Sequence, residues 1–101
     1  MASAEEFSLD DLPGTWFSVA DLANADEVER ELRAELQPGH VLDRVAFEIV
    51  GIRRLLKDVV GWLPDSRQWG WTHLTWAKES DARWPHTTLY DSWEALVADN
   101  R

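Results

Sequence analysis

Six of the seven tryptophans in this 101-residue chain fall between positions 62 and 93: Trp62, Trp69, Trp71, Trp76, Trp84 and Trp93. Each indole carries a large apolar area and an N–H that wants a partner once buried. A domain of about 100 residues hides roughly two-thirds of the surface its unfolded chain exposes. Enclosing all six rings is therefore difficult. Either some rings stay partly exposed, as tryptophans at binding hot spots do, or a sheet has both faces covered by short loops and helices.

The chain pattern predicts an α+β domain over residues 1–101, with 1–12 frayed and Phe7, Leu9 and Leu12 able to dock. Ala25, Val28, Leu32 and Leu36 recur at helical spacing, Asn24 with Glu27 forms a capping-box pattern, and Gln37-Pro38-Gly39 stops the run, so a helix is expected over 25–36. Val45, Phe47 and Ile49 alternate with Ala46, Glu48 and Val50, a strand pattern within 41–52. Residues 53–57 fit a helical turn or a loop equally well. Residues 58–63 and 68–77 read as a hairpin joined by Pro64-Asp65-Ser66-Arg67. Residues 78–87 lack periodicity and read as a loop, and Asp91 with Glu94 marks a short helix over 92–99. The expected fold is a small antiparallel sheet of three to four strands with both helices against one face.

Composition narrows the chemistry. The chain has no cysteine, which excludes disulfides, thiolate metal sites and cysteine nucleophiles. No apolar run approaches the ~20 residues of a membrane span. The start, Met1-Ala2-Ser3-Ala4-Glu5-Glu6, lacks the basic and apolar regions of a secretory signal, so a cytoplasmic protein is expected. The net charge of −9 opposes binding to a nucleic-acid backbone. Residues 1–36 hold ten acids against two bases, −8 of that total, which points to an acidic face and a basic partner. Glu27, Glu31 and Glu35 form the sharpest acidic row, along one flank of the first helix.

Glu31-Leu32, Leu36, Gly39-His40, Asp58-Val59-Val60, His73-Leu74-Thr75-Trp76, Trp84-Pro85, Thr87 and Asp91-Ser92-Trp93-Glu94 together resemble a group of small bacterial proteins. That group has an "HLTW" strand, a WP loop and a short C-terminal helix. The resemblance runs from about residue 24 onward and implies a bacterial single domain. It implies no activity, because none is established for the group.

The three histidines, His40, His73 and His86, have no local metal-ligand spacing, and no metal or other cofactor is expected. His73, fixed on a strand, is the best general-base candidate, and Asp58 on the neighbouring strand is placed to orient its ring. The alternatives are that Asp58 caps the chain or pairs with Arg53 or Arg54 and that His73 bonds a backbone group. Nucleophile elbows, phosphate loops and dinucleotide fingerprints are absent. The leading expectation is a non-enzymatic interaction module, such as an immunity or antitoxin-like protein that neutralises a basic partner. Glu27, Glu31 and Glu35 would steer that partner, and Trp69, Trp71 and Trp84 would anchor it. The alternatives are a tryptophan-lined small-molecule pocket or modest enzyme using His73 and Asp58, and a homodimer that covers excess tryptophan.

Overall fold

The β-branched and aromatic residues of 58–73 pair as expected and form the middle of the fold. The computed structural model describes residues 6–77 and 83–101. β3 (Asp58–Leu63) and β4 (Gln68–His73) are antiparallel, with Asp58 opposite His73 and Leu63 opposite Gln68. β1 (Trp16–Ser18) and β2 (Glu48–Arg53) continue the sheet on one side and β5 (His86–Tyr90) on the other, giving, among the described residues, five strands in the order β1-β2-β3-β4-β5. A 3-10 turn, Leu9–Asp11, precedes β1; α1 (Ala25–Glu35) lies between β1 and β2, and α2 (Trp93–Asp99) ends the chain.

Alternation along β3 divides the core. Val59 and Leu63 point into one layer with Val28 and Leu32 of α1, Leu42, Phe47, Ile52 and Leu74. Val60 and Trp62 point into the other with Trp69, Leu12 and Trp93, Leu96 and Val97 of α2. The two helices therefore cover opposite faces of the sheet, not one face as the sequence pattern had suggested. Two tryptophan-bearing strands need cover on both sides, and α1 alone cannot supply it. Trp62 and Trp69 are fully enclosed, Trp93 nearly so, and Trp84 is 44% exposed.

Phe47 lies across β3 and β4 at the cross-strand glycine pair Gly61 and Gly70. A Cβ on Gly61 would sit 2.5 Å from the Phe47 ring and 2.7 Å from the Glu48 carbonyl, so the glycine is what lets the ring lie flat on the sheet.

The five-strand sheet corrects the expectation of three to four. β1 is three residues long and β5 lies partly in the stretch expected to be a loop; of that stretch, 78–82 falls outside the described residues. In 41–52 only Glu48 onward is strand, while 41–44 turns with Leu42 buried. Residues 54–56 form a turn linking β2 to β3. α1 ends one residue earlier than expected and Asn24 makes no side-chain cap bond. At α2 the cap is Ser92, whose side chain accepts the Ala95 N–H, and not Asp91. From residue 6 the start is docked: Phe7 packs on Trp69 and Trp93 at ring separations of 5.0 and 5.4 Å, and Leu12 is buried.

Candidate functional site

A polar and aromatic row crosses the whole sheet at the end where β2 turns into β3. Trp16 on β1 stands opposite Arg53 on β2. Arg53 Nη1 lies 3.6 Å from Asp58 Oδ2 on β3. Asp58 stands opposite His73 on β4, and His73 opposite His86 on β5. Cross-strand partners point to the same face, so the five side chains form one line. Trp71, two residues before His73 in the strand, joins them from the next row.

Asp58 organises the row. Its Oδ1 accepts from His73 Nδ1 at 2.8 Å and from Trp71 Nε1 at 3.2 Å. A carboxylate has nothing to donate, so the His73 proton sits on Nδ1. The His73 side chain is 52% exposed. Arg53 stacks over the Trp16 ring at 5.8 Å, Trp16 meets Trp71 edge-on at 5.0 Å, and Trp16 Nε1 donates to the Pro13 carbonyl at 3.0 Å. Trp84, exposed, lies 6.5 Å from the His86 ring. The result is an open surface of one oriented imidazole, one immobilised guanidinium and flanking indoles.

Sequence reasoning placed residues near 58 opposite residues near 73 to within one or two positions, and the register makes Asp58 and His73 direct partners. Arg53, weighed as a rival partner of Asp58, contacts it as well, so the two readings hold together. Trp71 and Trp84 belong to this surface, whereas Trp69 is fully buried and cannot anchor a partner. Trp16 and His86 were missed; the available signal was that Arg53 and Asp58 bracket a short turn, which forces their strands, and the outer neighbours of those strands, into one line.

The acidic row on α1 lies on the opposite face and is not uniform. Glu27 is exposed and Glu31 half-buried, but Glu35 is only 1% exposed. Glu35 accepts the Thr75 and Trp76 backbone N–H groups at 2.8 Å each and the Thr75 hydroxyl at 3.1 Å. It pins the residues after β4 to the helix. Glu31 is pushed up to about 7 by its hydrogen bond with Glu35, then by burial and by the Glu35 charge. Trp76 Nε1 in turn donates to the Leu56 carbonyl at 2.6 Å. One of the three expected steering carboxylates, Glu35, thus serves the fold.

His40 is also structural. Its Nδ1 accepts the Leu42 N–H at 2.9 Å, so Nε2 donates to the Pro85 carbonyl at 2.7 Å. Among the described residues no group of three or more His, Asp and Glu is arranged to hold a metal ion. No helix among them is long and apolar enough to cross a membrane. Among the described residues, two concave regions lie away from the row: a cleft of about 570 Å³ includes Asp11, Leu12, Trp93 and Glu94, and one of about 280 Å³ lies at Glu31, Ala34, Glu35, Trp76 and Ala77. Comparison with protein-family models, with curated proteins and with solved structures finds no match.

Proposed function

We propose that this protein is a cytoplasmic interaction module that holds a protein partner on the surface built from Trp16, Arg53, Asp58, Trp71, His73, Trp84 and His86. One observation carries the reading: a row of hot-spot residue types, fixed by Asp58, crosses the full width of the sheet, with His73, Trp84 and His86 exposed and Trp16, Arg53 and Trp71 half-buried. Tryptophan and arginine dominate binding energy where they are held rigidly before the partner arrives. The net charge of −9 draws a cationic partner at long range. That favours an immunity or antitoxin-like role toward a basic protein, with the exposed acids of α1 as steering charges and not as contacts.

The test is affinity capture from a lysate of the source cells at low and high salt, with masses read by native mass spectrometry. Wild type is run beside a His73→Ala/Trp84→Ala double variant and a Glu27→Lys variant. A stoichiometric basic partner that the double variant loses, and that Glu27→Lys retains with slower association, supports the proposal. Equal retention by all three proteins counts against the row.

A second reading draws on the 2.8 Å Asp58–His73 contact: a small-molecule site or modest enzyme in which His73 acts as base. It requires a ligand that raises thermal stability in wild type and not in His73→Ala.

A further inference from the structure

Among the described residues Leu55 is the most exposed of the large apolar side chains, at 77%. It lies in the tight turn from β2 to β3, which is closed by the Leu56 N–H on the Arg53 carbonyl at 2.9 Å. Its φ is +79° and that of Leu56 is +61°. Positive φ at the third residue of such a turn belongs by preference to glycine or asparagine, because a Cβ there crowds the backbone. Leu56 has a compensation: it packs against the α1 side of the core, and its carbonyl receives the Trp76 indole. Leu55 has neither burial nor a favourable backbone to account for it. A costly conformation that the surroundings hold in place is a pointer to function.

The turn is also braced. Glu35 holds the Trp76 backbone and Trp76 holds the Leu56 carbonyl, so the chain of contacts runs from α1 to the residue beside Leu55. Arg54 and Lys57, both exposed, flank the leucine in a chain whose net charge is −9. The same turn joins Arg53 to Asp58, so Leu55 projects from the end of the sheet that carries the aromatic row.

We propose that this hairpin tip is a binding knob: Leu55 seats in an apolar pocket of a protein partner, and oxygen acceptors at the pocket's rim receive Arg54 and Lys57. An anionic membrane is the poorer fit. One leucine buries little area, the Trp76 N–H is already engaged, and a net −9 is repelled by such a surface. The knob rests on the interaction reading above and adds a second contact to it.

The test uses the full chain with a diazirine-bearing amino acid at position 15, beside the turn where the Thr15 carbonyl accepts the Arg54 N–H, which leaves Arg54, Leu55 and Lys57 intact. It is irradiated in source-cell lysate with unlabelled wild type, Leu55→Asn, or His73→Ala/Trp84→Ala as competitor. The expected result is a protein adduct that wild type competes away and that Leu55→Asn competes roughly 10–100-fold less well, the loss of one seated leucine. The melting temperature of Leu55→Asn is expected to be unchanged or raised, since asparagine suits the positive φ.

Equal competition by Leu55→Asn, or a lowered melting temperature, overturns the knob. So does an adduct only to a second copy of the chain, or none at all. Flotation with equimolar phosphatidylcholine–phosphatidylserine vesicles that depends on Leu55 moves the assignment to a membrane and overturns it too. If His73→Ala/Trp84→Ala competes like wild type while Leu55→Asn does not, the row fails and the knob stands. The reverse pattern fails the knob alone.

Discussion

Asp58 and His73 stand directly across β3 and β4, with Oδ1 2.8 Å from Nδ1, and the same oxygen takes the Trp71 indole N–H at 3.2 Å. The Trp71 contact matters more for stability, because Trp71 is half-buried while half of the His73 side chain meets water. Asp58→Ala leaves the indole N–H without its acceptor and is expected to cost about 1–3 kcal/mol in urea denaturation. His73→Ala removes an exposed partner and is expected to cost about 1 kcal/mol or less. A larger loss for His73→Ala than for Asp58→Ala would show that the carboxylate is not the organising group.

Stability should fall as pH rises through the range where Glu31 titrates. Its folded value, about 7, lies above the ordinary 4.5, so the folded state binds more protons between those two values. The stabilisation is fully present below pH 4.5 and lost as pH rises through 7, opposite in sign to a salt-bridged carboxylate. Glu31 is partly exposed, so solvent screening brings the amplitude down to about 1 kcal/mol. Urea midpoints from pH 5 to 8 should show the decline in wild type and a flatter profile in Glu31→Gln.

The sequence exposes elements whose cause is local and hides those whose cause is a distant partner. α1 was legible because its apolar stripe and its Pro-Gly stop lie within one short stretch. The β3–β4 hairpin was legible because a four-residue connection joins its strands, which brings residues near 58 and near 73 together but leaves the register open by one or two positions. β1 and β5 are strands only because β2 and β4 present edges to them; three residues of β1 carry no period. Thr87, Thr88 and Tyr90 between Pro85 and Asp91 gave a faint signal for β5. Glu35 is the sharpest case. In the sequence it matches Glu27 and Glu31, and its burial is set by backbone N–H groups forty residues further on. Trp69 was misread for the same reason, since α2 and Phe7, which enclose it, come from the two ends of the chain.

Gly61→Ala tests the packing of Phe47 on the central strands. The added methyl would meet the ring at 2.5 Å and the Glu48 carbonyl at 2.7 Å, and the carbonyl belongs to the β2 backbone and cannot step aside. Overpacking of this kind costs about 1–3 kcal/mol. Phe47→Leu in the Gly61→Ala background should recover part of the loss by removing the ring, leaving the carbonyl clash. Full additivity of the two substitutions in urea denaturation would mean that the ring and the glycine are not in contact.

Glu35 joins the helix, the end of β4 and the hairpin turn through one carboxylate. Its two oxygens satisfy two backbone N–H groups and a hydroxyl in the interior, so Glu35→Ala leaves these donors without an acceptor and is expected to cost about 2–4 kcal/mol. Glu35→Gln keeps one accepting oxygen but turns an NH2 group toward an N–H, and should cost about half as much. Both variants remove the carboxylate that holds the Glu31 proton, so the decline in stability toward pH 8 should flatten in each. The Trp76 indole N–H, assigned in the NMR spectrum by comparison with Trp76→Phe, should shift in both variants because the backbone that aims it at Leu56 is released. An unchanged indole signal together with lost stability would mean that Glu35 supports the helix alone and leaves the turn unbraced.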